Sequence, residues 1–171
     1  MKNKIILLLV VGMASVGVFQ SCKISYSFTG AVPMVGVKTF SVEYIQNRAR
    51  LINPNLSQQL TEAIQDKLLK QTSFDQVEGG GDLEFSGQIT GYDVKPMNIQ
   101  EGDLAAQNRL TVSVKIKYVN NKDHEQDWEK SFSAYEDFGS EISIDQAEGS
   151  IVPEIIEKLT DDIFNASIAN W

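Results

Sequence analysis

The sequence predicts an α+β fold, a two-layer sandwich in which two long helices pack on one face of a four-stranded, mostly antiparallel sheet. Apolar residues recur at every second position in four segments, as they do in half-buried strands, and at helical spacing in two longer segments. The segments follow the order strand, helix, strand, strand, strand, helix. Each helix must bury its single apolar stripe, and one face of the sheet can receive both stripes.

The first strand and the first helix open the predicted domain. Alternating apolar and polar residues over 37–44 predict the strand, and a polar loop follows. Asn53 or Asn55 can then cap a helix that runs to about Gln71. The apolar stripe of this helix consists of Leu56, Leu60, Ala63, Ile64 and Leu68.

Three strands come next in the chain. The triplet Gly79-Gly80-Gly81 lacks a following Lys-Ser/Thr pair and precedes a strand pattern, so it predicts a turn and not a phosphate-binding loop. Alternating apolar and polar residues then predict strands over residues 82–96, 109–120 and 128–138. Turn-forming residues at 120–123 predict that the last two strands form an antiparallel hairpin.

A second helix ends the chain. Residues 139–149 are polar and predict a loop, after which apolar residues return to helical spacing. The helix is expected to run nearly to Trp171, with Pro153 in its first turn, where the missing N–H is tolerated. Its stripe consists of Val152, Ile155, Ile156, Leu159 and Ile163.

The N-terminus has the layout of a secretory signal. Lys2 and Lys4 precede an apolar run over residues 5–18, and small Ser21 precedes Cys22. The run is shorter than the roughly 20 residues that a membrane-spanning helix needs. We therefore predict a signal peptide over residues 1–21 that is removed from the mature protein.

Cys22 is the single cysteine of the chain, so it cannot form an internal disulfide. It is a leftover thiol, an intermolecular bridge or a modified residue. The stretch Phe19-Gln20-Ser21-Cys22 resembles a bacterial lipobox, in which the cysteine becomes the acylated first residue. This predicts lipid attachment at Cys22, an extended tether over residues 22–36 and a single domain over residues 37–171, with no cofactor besides the covalent lipid.

Charge limits the partners of the mature chain. Without the signal, thirteen basic side chains remain against twenty-three acidic ones, which disfavours binding to nucleic acid. A local basic patch can still hold an anion. Lys115 and Lys117 share the polar face of one strand and Lys122 lies in the adjoining turn, so the three are candidates for contact with lipid or sugar phosphates. The alternative is that they form the solvent side of a half-buried strand and discourage edge pairing.

Residues for catalysis are scarce in this sequence. His124, the only histidine, lies in a polar turn, and the mature fold has no second histidine or free cysteine to complete a metal site. We predict neither a catalytic nor a metal site. Carboxylate pairs at 154/157 and 161/162 leave a hydrolase as one hypothesis, although they lie on the polar side of the last helix.

Several phrases of the chain resemble the LptE family of lipopolysaccharide-assembly lipoproteins, in its shorter variety. They are VKTFSVEYIQNRARLINPNLSQQLTEAIQDKLLKQTSF, GDLEFSGQITGYDVKP, NRLTVSVKIKYVNNKD, WEKSFSAY and DIFNASIANW. The resemblance implies a non-enzymatic outer-membrane lipoprotein that lies inside the β-barrel LptD, supports its assembly and engages lipopolysaccharide. Residues 23–26 contain no acidic cluster, which favours the periplasmic side of the outer membrane. The alternative function is a periplasmic lipoprotein module that binds a small or lipidic ligand.

Overall fold

A computed structural model describes residues 34–51, 53–97 and 107–169, which form a mixed sheet and two helices. The predicted signal, Cys22 and most of the predicted tether lie outside these residues. The strands are β1 Thr39–Val42, β2 Gln46–Asn47, β3 Asp75–Gln76, β4 Leu83–Met97, β5 Gln107–Asn120 and β6 Trp128–Gly139. The helices are α1 Leu56–Gln71, between β2 and β3, and α2 Ile144–Phe164, after β6.

The sheet has six strands in the order β3-β1-β4-β5-β6, with β2 also paired to β4. β1 is parallel to β3 and β4, and β2 is parallel to β4, whereas β4, β5 and β6 form an antiparallel meander. The prediction of an α+β fold with two helices is therefore right, but the prediction of four mostly antiparallel strands is wrong. β2 and β3 have only two residues each, too few to show periodicity, and β1 is parallel to β4 because a crossover containing α1 separates them.

β5, the middle strand of the β4–β5–β6 meander, supplies a large part of the core. Its inward residues are buried in one apolar cluster that also contains residues of both helices, and the intervening residues face the other side of the sheet. Phe40 of β1 and Phe85 of β4 extend the same apolar layer. The inward residues of β5 are Leu110, Val112, Val114, Ile116 and Tyr118.

Helix α1 begins where the sequence predicts. Asn55 is the N-cap residue, and its backbone N–H donates to Oδ1 of Asn53 at 2.9 Å. Thr61 Oγ1 accepts from the N–H of Ile45 at 3.0 Å and donates to the carbonyl of Ser57 at 2.7 Å. This buried pair of hydrogen bonds ties the apolar face of α1 to the segment between β1 and β2.

Helix α2 begins earlier than predicted, at Ile144, so most of the loop predicted over 139–149 is helical. Ser143 and Gln146 form a capping box, in which Oε1 of Gln146 accepts from the N–H of Ser143 at 3.1 Å. Pro153 lies inside the helix and not in its first turn. A π-helical turn at 165–169 follows α2. Neither described helix is long and apolar enough to cross a bilayer.

Gly87 in β4 lies where the neighbouring strand approaches closely. A Cβ at this position would overlap the carbonyl oxygen of Lys115 and lie 2.9 Å from Cδ1 of Ile116. Gly149 in α2 is different, because nothing lies within 4 Å of a Cβ built there. The two glycines therefore form a matched pair for testing the packing of the sheet.

We expect Gly87→Ala to lower the free energy of unfolding by about 1–3 kcal/mol, because β5 must shift away from the new methyl group. Gly149→Ala should raise it by about 0.5–1 kcal/mol, because alanine loses less backbone entropy in a helix. Chemical denaturation of both variants measures the two effects. Equal stability of Gly87→Ala and the unsubstituted protein would contradict the close approach of β4 and β5.

Candidate functional site

The face of the sheet opposite the helices is the first candidate surface. It carries the outward side chains of β4, β5 and β6, which are small or polar near its centre. Ser113 and Ser133 lie in register on adjacent strands, with their Oγ atoms 3.1 Å apart. Lys115 lies between Gln88 and Ser131 in the same register. We call this surface the open face.

The three candidate lysines are spread along one end of the open face. Lys115 Nζ lies 3.1 Å from a carboxylate oxygen of Glu129, and Lys117 stands directly opposite Glu129 in the β5–β6 register. Lys122 Nζ lies 2.8 Å from Oδ1 of Asp82, just before β4 begins. Lys115 is in register with Gln88 of β4, and Gln88 lies six residues after Asp82, which is about 20 Å along a strand. Lys115 and Lys117 are thus close neighbours, whereas Lys122 is remote from Lys115.

Asp82 gives Lys122 a structural role that the sequence does not indicate. The hydrogen bond from Lys122, followed by the bond from the backbone N–H of Lys38, lowers the pKa of Asp82 from 3.8 to about 2 despite some desolvation. Oδ2 of Asp82 accepts from Lys38 N–H at 2.8 Å and from Thr39 N–H at 3.1 Å. The carboxylate therefore joins the start of β1 to the start of β4 and to the turn after β5.

A second charged group lies at the opposite end of the open face. Arg109 donates to both carboxylate oxygens of Asp137, at 2.7 and 2.9 Å, and its guanidinium carbon lies 3.7 Å from the ring centre of Tyr135. The hydrogen bond from Arg109 lowers the pKa of Asp137, and the same bond raises the pKa of Arg109. Sequence reasoning missed this group because the β5–β6 register, and not sequence spacing, brings the two residues together.

The residues considered for catalysis are scattered. His124 is exposed in a short 3₁₀ turn, with Nδ1 3.0 Å from Oδ2 of Asp127. Asp161 is paired with Lys67 of α1 at 2.5 Å. Within 34–51, 53–97 and 107–169, no three His, Cys, Asp or Glu side chains lie close enough to hold a metal ion.

The gap between the helices and the sheet that is lined by Leu68, Phe85 and Ile163 is too small to hold a water molecule. A ligand pocket would need several hundred Å³. The outer groove between α1 and α2 is larger, at about 520 Å³, and opens to the surface.

Comparison with known proteins gives both a family and a fold. The sequence model of the family described as LptE, lipopolysaccharide-assembly, matches residues 37–167. No curated protein sequence matches the chain.

Two solved structures have a similar fold. A hypothetical protein from Chlamydia trachomatis is 11% identical, with a TM-score of 0.52 over 78% of this chain and 99% of that one. The PelC dodecamer from Paraburkholderia phytofirmans is 9% identical, with a TM-score of 0.51 over 81% of this chain and 95% of that one. At these identities the likeness concerns the fold alone.

The lowered pKa of Asp82 gives a test of its role at the β1–β4 junction. Between pH 4 and pH 2 the folded chain binds fewer protons at Asp82 than the unfolded chain, so this carboxylate stabilises the fold above pH 4 and ceases to do so as the pH falls towards 2. Asp82→Asn should therefore be less stable than the unsubstituted protein at pH 7. The difference should shrink as the pH falls, as measured by urea denaturation at each pH. A difference that stays constant down to pH 2 would contradict this role.

Proposed function

The chain belongs to the lipopolysaccharide-assembly family LptE, and we propose that it is an outer-membrane lipoprotein that forms a complex with the β-barrel LptD. In this complex it supports assembly of the barrel and the passage of lipopolysaccharide to the outer leaflet. It acts by binding and not by catalysis. The observation that carries the proposal is the extent of the family match, because residues 37–167 include all six strands and both helices.

The shape of the sheet is compatible with a place inside a barrel. β4 has 15 residues and β5 has 14, so their hairpin extends about 45–50 Å. The apolar band of an outer-membrane barrel is about 25 Å tall, and the barrel interior is polar. A hairpin of this length can follow the full height of such a lumen, with the polar open face towards a polar wall or ligand.

Lipid attachment at Cys22 would hold the domain at the membrane. Two acyl chains are already enough for stable anchoring. Fourteen residues lie between Cys22 and Val37, where the family match begins, and such a segment spans at most about 50 Å. The lipid can therefore stay in the periplasmic leaflet while the domain occupies the barrel.

The three candidate lysines are the proposed contacts with lipopolysaccharide phosphate. Lys115 and Lys117 project from adjacent outward positions of β5. Lys122 is a third cation, in the turn at the end of the sheet. Lys115 and Lys122 already have carboxylate partners in Glu129 and Asp82, so a phosphate would replace or share these ion pairs. Lys117 has no ion-pair partner among the described residues and is the first candidate.

Extraction of outer membranes in mild detergent tests the function. Affinity purification of the full-length chain should recover a large β-barrel in about equal amount, and mass spectrometry should find acyl chains on Cys22. In the same experiment Cys22→Ser should leave the membrane fraction while its domain keeps its thermal unfolding transition. Recovery of the acylated chain without a barrel, under conditions that preserve barrels, would reject the complex. Unchanged membrane association of Cys22→Ser would reject the anchor.

Lipopolysaccharide binding by the purified mature chain tests the lysines. We expect Lys117→Ala and Lys115→Ala each to weaken binding by about 1 kcal/mol, or roughly fivefold, because each removes an exposed charge pair. Binding to dephosphorylated lipopolysaccharide should be weaker and should not respond to either substitution. The control is Lys70→Ala, whose lysine lies on α1 and pairs with Asp66. Equal affinities of all variants would show that these lysines are only the solvated side of β5.

A further inference from the structure

Negative charge is concentrated in the last helix. α2 carries six acidic side chains and one basic one, a formal charge of −5, whereas the charges of α1 cancel and those of β4, β5 and β6 together sum to zero. The helix layer of the sandwich is therefore acidic and the sheet layer is balanced. The acidic residues of α2 are Asp145, Glu148, Glu154, Glu157, Asp161 and Asp162.

Part of this charge lines the groove between the two helices. Glu62 and Asp66 of α1 form one wall, and Glu157 and Asp161 of α2 form the other. The groove has a volume of about 520 Å³. Its lining runs from position 59 to position 70 of α1, which is about 17 Å of helix. The side chains at the base of the groove are Ala63, Ile156 and Thr160.

The two lysines of the groove do not cancel its charge. Lys67 reaches across to Asp161 at 2.5 Å, and Lys70 pairs with Asp66 at 2.9 Å within α1. Glu62 and Glu157, on opposite walls, have no ion-pair partner among the described residues, and Glu62 accepts one hydrogen bond, from Nε2 of Gln58 at 2.8 Å. The groove thus keeps two carboxylates for a cation above a partly apolar base.

Thr160 provides a separate sign that the groove takes a ligand. Its side chain lines both the groove and the closed gap beneath it and is 4% exposed, and Oγ1 is buried with no hydrogen-bond partner among the described residues. A buried hydroxyl without a partner is costly, and native structures usually satisfy such groups. An occupant of the groove with a polar group could supply that partner.

We propose that this groove binds a segment of a partner protein that carries lysine or arginine side chains. The carboxylates of Glu62 and Glu157 pair with the basic side chains, Ala63 and Ile156 contact their aliphatic parts, and a polar group of the segment bonds to Thr160. A segment fits better than a small cation, because the groove combines about 17 Å of length with an apolar base. Phosphate groups are disfavoured here by the carboxylates.

Within the proposed function the segment belongs to the barrel, and the inference rests on that function. The groove lies on the opposite side of the sandwich from the open face. The chain can therefore hold the barrel through its helices while the sheet remains accessible to lipopolysaccharide.

Matched charge reversals test the groove in the full-length chain in outer membranes. Glu62→Lys with Glu157→Lys reverses the two carboxylates that have no ion-pair partner among the described residues, and we expect at least a tenfold loss of the barrel from the purified complex. Glu154→Lys with Asp162→Lys changes the net charge equally, at exposed positions of α2 outside the groove, and should keep full recovery. Thermal unfolding of both purified variants distinguishes lost binding from lost folding.

Crosslinking identifies the occupant. A photoreactive amino acid at Gln59, which lines the groove, should crosslink to a barrel peptide rich in lysine or arginine. The same photoreactive amino acid at Ser131, on the open face, should give a different crosslinked product. A Gln59 crosslink to an acidic or uncharged peptide, to lipopolysaccharide or to a second copy of this chain would overturn the proposal.

The remaining outcomes distinguish a failure of the groove proposal from a failure of the proposed function. If both double variants recover the barrel as well as the unsubstituted chain does, the groove is not the docking site and the proposed function stands. If the unsubstituted chain recovers no barrel, the proposed function fails. The groove proposal, which rests on that function, then fails with it.

Discussion

The constraint on which the fold depends is the double pairing of β5. This strand bonds to β4 and to β6 along nearly its whole length, so its pleat aligns the side chains of all three strands. A shift of one residue in either register would turn the apolar residues of a strand to the opposite side of the sheet. Because the inward residues of β5 are almost completely buried, that shift would expose the core, and the two helices pack on the one face that the register leaves apolar.

The same register gives the open face its polar character. Once alternate residues are committed to the core, the others are free of packing demands, and here most of them are serines, lysines and other polar residues. Charged groups then stabilise the two ends of the sheet. Asp82 joins three chain segments at one end, and Arg109 with Asp137 bridges β5 and β6 at the other. The middle of the face, between these groups, is polar.

Much of this arrangement could be predicted from the sequence, because long amphipathic elements carry their own periodic signal. α1 and the three long strands begin and end within a few residues of the predicted positions. β2 and β3 could not be predicted, since two-residue strands exist only through pairing with a distant partner. The start of α2 was missed because its first turns are polar and only the capping box of Ser143 and Gln146 marks them.

The candidate surfaces were less predictable than the fold, and for a different reason. Alternation predicts that Lys115 and Lys117 share a face, but it does not show that Glu129 on another strand meets Lys115. The groove needs the packing of two helices that are far apart in the sequence. Pairings between elements depend on register and packing, and both are properties of the folded chain.

The uneven distribution of charge then suggests how one small domain can serve two different partners. An anion that approaches the sandwich is repelled by α2 and finds a balanced field at the sheet, whereas a basic protein segment has the opposite preference. The sheet itself separates these two surfaces. Simultaneous binding therefore needs no conformational change, because each partner meets a different layer of one core. The net negative charge of the mature chain does not conflict with a phosphate ligand, since half of that charge belongs to α2 and the charges of β4, β5 and β6 cancel.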